Sequence, residues 1–571
     1  MVKYFKSPTQ NHPINSLHIT NRAITKMTQT QSLQSTNNIE PLRPKWHFAG
    51  EKRLTFLLGL LALICAVIVF GFRVNASLKL FYFVDETEKF VAARMINQGL
   101  HLYKDVFAHH GPVTYMLAHL YAKVVSQTDF SLIRLEIVFL AAVSCLSLAF
   151  SPILKCITAR IWAAALYLSI LSSVWALQAI HMLLYSQIGG FLFVIVLSQL
   201  VIPVLMGEKP TSIGLFISGF SITLAFFSAY SFGPAAVFFV ASTFLSLIDQ
   251  KIKTKTSVLF FLGIFSALTI VILWLVLFGD LLGYLIYHIY FNQKIYAPFI
   301  EFSLLSIFSN FNISFLPTNL IHTLAVLFLF AWTFALAITV IDNKEKGKSL
   351  VFKIGAIASL FVAVLFANPR GEHSYQNAGF VVLNFASISL VAAWLLQSQL
   401  RRLSWHKMIY PILFMAIFTF SEGVRAYSIS TPHGFAKKDF LSNEVDFKPE
   451  VGGIYDFIRS ITRPDQKILA LIFEPIIYIK ADRLPASGHY YYLPWQAAYN
   501  RASIFDYKID ICKDIIDQKP NIIFFDDYKL WNQYSIEQYE PCVCSLIDRN
   551  YVRFKSRDLF IRKDIALNLT K

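Results

Sequence analysis

Three carboxylates stand close together in the stretch FVDETEKF, a few residues after the first long apolar run of the chain. Asp85, Glu86 and Glu88 lie where a chain that crosses a membrane would leave the bilayer. A carboxylate at a membrane face can accept a proton from a reacting group, and general-base catalysis of this kind contributes about 10²–10⁴-fold to a rate. The same residues can also begin a helix, because Asp85 followed three residues later by Glu88 resembles a capping box. The two interpretations are compatible, and the elements around the acids decide between them.

Composition indicates the class of protein to which these acids belong. The chain has 571 residues, of which 56% are hydrophobic and 15% charged, and its mean hydropathy is +0.53. Its apolar residues come in blocks of roughly 20, the length that crosses a bilayer core of about 30 Å. The net charge of +16 does not indicate nucleic-acid binding, because Lys and Arg lie mostly in short loops between the apolar blocks. We therefore predict a polytopic α-helical membrane protein that binds no nucleic acid.

About eleven transmembrane helices are predicted. The spans are 54–72, 131–152, 160–177, 186–206, 212–229, 232–248, 257–278, 319–341, 350–367, 375–398 and 407–427. The basic clusters are Lys52 with Arg53, Lys155 with Arg160, and the segments 249–256, 342–349 and 400–407. With eleven spans, all of these clusters fall on the side of the N-terminus, which the positive-inside rule makes cytoplasmic. The external segments are then 73–130, 178–185, 279–318, 368–374 and everything after 427.

Residues 1–50 are predicted to form a disordered cytoplasmic tail, because they are rich in Gln, Thr, Asn and Ser and nearly free of large aliphatic residues. No apolar stretch precedes Leu54, so we expect no secretory signal there. Met27 could be the true start. The membrane domain is expected over 51–427.

The external segment 73–130 is predicted to hold two surface helices. The first begins at Asp85 and ends near Gly99. The second covers 112–126, with Pro112 in its first turn. Its apolar residues follow helical spacing: Val113, Met116, Leu117, Leu120, Tyr121 and Val124. It is predicted to lie on the membrane surface, because a twelfth span here would move every later basic loop to the wrong side.

A small external α/β domain is predicted over 428–571. Apolar runs there shorten to strand length at 467–473 and 521–527, the segment 551–564 indicates two more strands, and helical segments alternate with them. The domain contains Cys512, Cys542 and Cys544. In an oxidising compartment Cys512 could bridge to one of the other two, or all three could be free structural cysteines.

Ion-coupled transport is disfavoured by the placement of charge. A secondary transporter usually has ionisable groups or broken helices near the bilayer midplane. The middles of the predicted spans contain no Asp, Glu, Lys or Arg, and charges such as Arg134 and Glu136 lie near a span end. Polar groups gather in the external segments instead, which favours chemistry on a lipid-borne substrate at the interface.

The string VDETEKFVAARMINQGLHLYKDVFAHHGPVTYMLAHLY resembles the first external loop of the GT-C superfamily glycosyltransferases. These include the protein O-mannosyltransferases and the lipid A aminoarabinose transferase. The shared pattern is an acidic pair after the first span, a helix with Ala-Ala-Arg, a Leu-Tyr-x-Asp turn and a Pro motif that opens a second surface helix. The resemblance implies a GT-C fold in a bacterial inner (plasma) membrane, with a cytoplasmic N-terminus and a periplasmic C-terminal domain.

The resemblance also implies transfer of a sugar from a polyprenyl-phosphate donor to a lipid, glycan or protein acceptor, with inversion at the anomeric carbon. Asp85 matches the family's general base, and Glu86 is then a neighbour that tunes or orients it. A lipid phosphate that leaves with negative charge needs cationic or donor groups. The candidates in the external segments are Arg94, Lys104, His109, His110, Arg370 and His373. Arg370 and His373 could instead reach to lipid headgroups.

The chain departs from the family pattern in two places. The aminoarabinose transferase group has a Glu-Lys-Pro motif whose Glu can join a metal site, whereas this chain has HHGP. His109 and His110 could therefore ligate a divalent metal ion or bind phosphate directly. The next external loop, where some relatives carry another acid, contains His181 and no carboxylate, so a single base is expected. The alternative function is a non-catalytic, polymerase-like or flippase-like role in envelope polysaccharide export.

Overall fold

The computed structural model describes residues 45–299, 378–402 and 452–569. Short gaps fall at 79, 81, 127–128, 131, 177–178, 207, 238, 242–253, 526–528, 531–532 and 555–557. The predicted spans 319–341, 350–367 and 407–427 lie outside the described residues, as do Arg370, His373 and most of the predicted tail. Almost all described residues belong to one compact unit, Gly50–Lys571.

Helices dominate the membrane part, because a helix satisfies its own backbone hydrogen bonds in hydrocarbon. They are α1 (Lys45–Leu78), α2 (Val84–Asn97), α3 (Pro112–Val124), α4 (Leu135–Ala149), α5 (Ile157–Val174), α6 (Tyr185–Val196), α7 (Ile202–Leu205) and α8 (Ser212–Ser228), followed by Thr254–Phe278, Leu281–Gly283 and Ala378–Arg402. π-Helical turns cover Leu197–Val201 and Tyr284–Tyr296, and 3₁₀ turns cover Tyr230–Phe232 and Ala297–Phe299.

Four described helical stretches have the length and apolar composition needed to cross a membrane. They are Arg53–Leu78, Ile157–Val174, Tyr185–Val204 and Ser257–Phe278. The shorter apolar helices Leu135–Ala149, Ser212–Ser228 and Tyr230–Ala241 also coincide with predicted spans. The chain therefore has the helices of a multi-pass membrane protein, and the count of eleven stays a prediction.

The two helices expected in the first external segment are present as α2 and α3. Their environments differ from the prediction. α2 is buried at every residue from Glu86 to Ile96, because α3 and the helix Ile476–Ala481 pack against it. It is therefore an internal helix, and the prediction of a surface helix is wrong for α2.

α3 begins at Pro112, as predicted, but its apolar stripe marks its buried face only in part: Val113 and Tyr121 are buried, whereas other residues of the stripe are not. Leu120 is 57% exposed and Val124 is 72% exposed. Thr114 and His119, which lie off the stripe, are buried. A helix at a membrane can turn large apolar side chains outward to lipid and keep polar groups inside the protein.

The C-terminal segment, residues 452–569, contains a four-stranded sheet in the order β1-β2-β4-β3. Its strands are β1 (Leu469–Ala470), β2 (Ile522–Phe524), β3 (Tyr551–Arg553) and β4 (Leu559–Arg562). β1 pairs parallel to β2, with Leu469 opposite Ile523, and β4 pairs antiparallel to both β2 and β3. Each predicted strand segment therefore contains a strand.

Short helices accompany this sheet, and a disulfide joins two of them. The helices are Gly452–Ile461, Ile476–Ala481, Pro494–Arg501, Ile511–Gln518, Ile536–Tyr539, Pro541–Asn550 and Lys563–Leu569. The disulfide links Cys512 to Cys542, and Cys544 is not part of it. This is one of the pairings that the sequence left open.

Candidate active site

The first turn of α2 places the three acids differently from the capping-box interpretation. α2 begins at Val84, and the residue at its N-cap is Phe83, which makes no side-chain cap. The carbonyl oxygen of Phe83 accepts from the backbone N–H groups of Glu86 and Thr87, at 3.1 and 3.0 Å. Asp85 is thus the second helical residue rather than the cap. An acid there still interacts favourably with the helix dipole, by about 0.3–1 kcal/mol.

Glu86 is held by an arginine at the start of the next membrane helix. Its carboxylate accepts from Arg134 Nη2 at 2.7 Å and from Arg134 Nε at 2.9 Å, and neither side chain is exposed. Arg134 Nη1 also donates to the carbonyl oxygens of Ser77 and Leu80. The pair therefore ties the end of α1 and the start of α4 to α2. Glu86 is out of reach of solvent, and its predicted orienting role stays a prediction.

Glu88 is the centre of a second buried network, which we call the Glu88 cluster: Glu88, Lys89, His110, Tyr115 and Tyr491. Its carboxylate forms an ion pair with Lys89. The hydroxyls of Tyr491 and Tyr115 donate to it at 2.8 and 3.2 Å, and His110 Nε2 lies 3.4 Å from its Oε1. With four partners, Glu88 is a poor candidate for a base that must accept a substrate proton.

The tyrosines of this network are neutral donors. Burial, with the charge of Glu88 as a further cause, raises the pKa of Tyr115 and of Tyr491 well above the ordinary tyrosine value. Both hydroxyls therefore keep their protons at physiological pH and can donate to the carboxylate.

Asp85 is the partly exposed acid of the three. Residues three apart in a helix lie on one face, so Asp85 is on the same side of α2 as Glu88. Its charge reaches Tyr491 and the neighbouring Tyr490: after burial and the charge of Glu88, Asp85 is a further cause of the raised pKa of both tyrosines. Asp85 is therefore the acid of the three that solvent can reach.

The segment SGHYYYLPW, residues 487–495, supplies these tyrosines from the C-terminal segment. It lies against the turn that follows α2. The N–H of Phe107 donates to the carbonyl oxygen of Gly488 at 3.0 Å, and a Cβ at Gly488 would lie 2.0 Å from the carbonyl oxygen of Asp105. Only glycine permits this approach. Sequence reasoning missed the segment, although three consecutive tyrosines between Gly-His and Leu-Pro-Trp were a visible signal.

Arg94 and Lys104, two of the predicted phosphate-binding residues, differ in their surroundings. Arg94 is buried, and it donates to Asp482 Oδ1 at 2.7 Å and to the carbonyl oxygen of Tyr478 at 3.3 Å. It therefore joins α2 to the C-terminal segment. Lys104 is exposed in the turn after α2, where Tyr103 has a positive φ of 67°.

His109 and His110 are neighbours in space as well as in sequence, with ring centroids 4.2 Å apart. The carbonyl oxygen of His109 accepts from Asn292 Nδ2 at 2.6 Å and lies 3.0 Å from His288 Nδ1. The ring of His110 stacks on Tyr185 at 5.3 Å. Together with its contact to Glu88, this places His110 against α2.

Other buried histidines near the site are neutral. Burial, and secondarily the charge of Arg134, lowers the pKa of His181 to about 3. Burial lowers the pKa of His288 to about 4. His288 Nε2 accepts from the N–H of Tyr230, so its Nδ1–H donates to the carbonyl oxygen of His109. Neither ring offers a cation to an anionic substrate.

The described residues do not place His109 and His110 in a group of three possible metal ligands. The group that they do contain is Cys512, Glu540 and Cys542, and its two cysteines form the disulfide. A metal ion at HHGP stays a prediction.

No protein-family model matches the chain, and no curated protein matches it in sequence. Solved structures do match. One is ArnT from Cupriavidus metallidurans bound to undecaprenyl phosphate, with 11% identity and a TM-score of 0.45, covering 74% of this chain and 84% of that chain. Another is the archaeal oligosaccharyltransferase AglB from Archaeoglobus fulgidus with an inhibitory peptide and a dolichol-phosphate, with 11% identity and a TM-score of 0.42, covering 88% and 74%.

Identities of 11% and TM-scores of 0.42 to 0.45 do not by themselves assign an activity to this chain. What its own residues present is a partly exposed aspartate at the start of a buried helix, directly after a membrane-crossing helix.

Proposed function

We propose that the chain is a membrane glycosyltransferase of the GT-C superfamily, with Asp85 as its general base. The observation that carries the proposal is the contrast among the acids of α2. Glu86 and Glu88 are completely buried, whereas Asp85 is partly exposed and follows the first membrane helix by a few residues. An acid that must meet a substrate needs this exposure, and a structural acid does not.

The proposed reaction is a single displacement at the anomeric carbon of a sugar carried on polyprenyl phosphate. Asp85 takes the proton of the acceptor hydroxyl while the hydroxyl oxygen forms a bond to that carbon. The bond from the carbon to the phosphate oxygen breaks on the opposite face, so the configuration inverts and the lipid phosphate leaves with negative charge. The donor lipid is of the class held by the ArnT and AglB structures.

Stabilisation of the leaving phosphate is proposed for Lys104, His109 and His110, with Arg370 and His373 as further candidates beyond the described residues. Lys104 is exposed, so it can meet a lipid headgroup. His110 lies 3.4 Å from Glu88. We assign Arg94 to the packing of the C-terminal segment, because Asp482 and Tyr478 already take its donors. A divalent ion held by His109 and His110 stays part of the proposal.

The disulfide supports a periplasmic site. Disulfides persist in oxidising compartments and are rare in the cytosol. The Cys512–Cys542 bridge lies in the C-terminal segment, and that segment contacts the helix of Asp85 through Tyr491 and Arg94. Both would therefore lie on the external side, opposite the basic loops. Lipid, glycan and protein acceptors are all compatible with this placement.

The test is complementation of a deletion strain, read by mass spectrometry of its envelope glycolipids, polysaccharides and glycoproteins. The deletion should remove a single sugar, and the intact chain should restore it. Asp85→Asn should leave the protein inserted, since Phe83 rather than Asp85 occupies the N-cap, but should lower the transfer rate by about 10²–10⁴-fold.

The matched control is Asp465→Asn, the same change at an exposed aspartate in the C-terminal segment, which should restore the sugar fully. Full restoration by Asp85→Asn at equal protein level would refute the catalytic assignment. It would favour the flippase-like alternative, which needs no base.

A further inference from the structure

The Glu88 cluster draws its donors from four separate parts of the chain. Lys89 follows Glu88 on α2, Tyr115 lies on α3, His110 lies in the turn before α3, and Tyr491 is 403 positions away in sequence. All of these side chains are buried or nearly so. A single carboxylate thus joins the first external segment to the C-terminal segment.

The two oxygens of Glu88 have different partners. Oε1 meets Lys89 Nζ, Tyr115 Oη and His110 Nε2. Oε2 accepts from Tyr491, its one partner among the described residues. A buried carboxylate oxygen that accepts no hydrogen bond lowers the stability of the folded protein. The C-terminal segment therefore supplies the hydrogen bond that completes the burial of Glu88.

The neighbouring tyrosine makes a sharp contrast. The hydroxyl of Tyr492 donates to Glu540 Oε2 at 2.7 Å and accepts from Asn500 Nδ2 at 3.1 Å, so both of its partners belong to the C-terminal segment. Tyr491 and Tyr492 are both almost completely buried. One hydroxyl thus bonds across to α2, and the other bonds within its own segment.

Other contacts, on either side of the Glu88 cluster, also join α2 and the turn after it to the C-terminal segment. Arg94, near the end of α2, bonds to Asp482 and Tyr478. The turn after α2 bonds through Phe107 to Gly488. The Glu88–Tyr491 hydrogen bond is the contact of this set that lies on the face of α2 that carries Asp85.

We infer that Glu88 and Tyr491 are positioning residues: their hydrogen bond holds the C-terminal segment on α2 so that the active site around Asp85 is complete only when both parts are joined. The inference rests on the proposed function for its catalytic meaning. The physical coupling of Tyr491 to α2 can be measured independently of it.

The test compares Tyr491→Phe with Tyr492→Phe in the full-length purified protein. Each change removes one buried hydroxyl that donates to a carboxylate, so both should cost similar stability. Tyr491→Phe should lower kcat by about 10-fold or more and leave the KM for the sugar donor within about 2-fold. The change displaces the base but removes none of the groups proposed to bind the donor, since His110 meets the other oxygen of Glu88. Tyr492→Phe should leave kcat near the parent value.

Two further measurements separate positioning from a general structural defect. Backbone hydrogen exchange over 84–97 should be faster in Tyr491→Phe than in Tyr492→Phe. In a double-mutant cycle, Glu88→Gln combined with Tyr491→Phe should lower kcat little more than Glu88→Gln alone. The two changes act on the same hydrogen bond, so their effects should not add.

The outcomes are distinguishable. Equal kcat values and equal exchange over 84–97 in the two tyrosine variants would overturn the inference. If the parent protein transfers no sugar while Tyr491→Phe still speeds exchange over 84–97, the proposed function fails and the coupling of the two segments stands.

Discussion

Glu86 and Glu88 lie two residues apart on one short helix, yet their carboxylates face different parts of the molecule. Glu86 meets the guanidinium of Arg134, beside the ends of α1 and α4. Glu88 meets hydroxyls from Tyr115 and Tyr491, one of them from the C-terminal segment. Each residue of a helix turns by about 100°, so side chains two apart point in nearly opposite directions. α2 therefore connects the membrane helices on one side to the C-terminal segment on the other.

The difference teaches which contacts are formed within the membrane helices and which depend on the C-terminal segment. The Glu86 side uses permanent charges from residues within about the first quarter of the chain. The Glu88 side combines an adjacent lysine with neutral hydroxyls and a histidine, and it needs a partner 403 positions away. We expect the Glu86 contacts to determine whether α2 stays folded against the membrane helices. The Glu88 contacts should determine whether the proposed active site is active.

The largest effect should come from breaking the Glu86 side. Arg134→Met leaves a buried carboxylate without its partner, which typically costs about 3–5 kcal/mol. Thermal unfolding of the purified protein should show this loss, and changing both residues of the pair to apolar ones should recover part of it. The control is Arg160→Met, at a partly buried arginine on α5 whose Nε donates to a backbone carbonyl. Equal losses in the two single variants would show that the Glu86–Arg134 pair is not what holds α2.

Removal of the disulfide should have a smaller effect on stability, confined to the C-terminal segment. Replacing Cys512 and Cys542 together with Ser should lower the free energy of unfolding by about 2–4 kcal/mol. Hydrogen exchange should rise over 511–550 and stay unchanged in α4, because the bridge joins two helices of the C-terminal segment. Cys544→Ser is the matched control, since Cys544 lies on the same helix as Cys542 but outside the disulfide. Faster exchange in α4 would mean that the two sides are not separable.

The smallest effect concerns pH. Burial raises the pKa of Glu474, in the C-terminal segment, from 4.5 to about 7, against the opposing charge of Lys480. Between about pH 4.5 and 7 the unfolded chain has lost this proton and the folded chain keeps it. Stability from this group is therefore greatest below pH 4.5 and falls as pH rises to about 7. Glu474→Gln should raise the unfolding temperature relative to the parent at pH 8 but not at pH 4.5.

The control for this measurement is Glu537→Gln, at an exposed glutamate of the same segment, which should leave the pH dependence unchanged. A parent-like pH dependence in Glu474→Gln would show that another group is responsible.

Local patterns in the sequence determined much of the fold. Apolar runs long enough to cross a bilayer became α1, α5 and the other membrane helices, because hydropathy and backbone satisfaction act residue by residue. The same holds for the short apolar runs that became β1 to β4, and for the helix that starts at Pro112. The acidic stretch after the first span was visible for the same reason.

Only the tertiary structure decided what each acid of that stretch does. The spacing of Asp85 and Glu88 favoured a capping box, but Glu88 is bound by Tyr491 and the cap is Phe83. Arg94, predicted to bind phosphate, is taken by Asp482. These partners are 403 and 388 positions away in sequence. Burial and ion pairing depend on which distant segments come into contact, and the local periodicity of a sequence does not predict such long-range contacts.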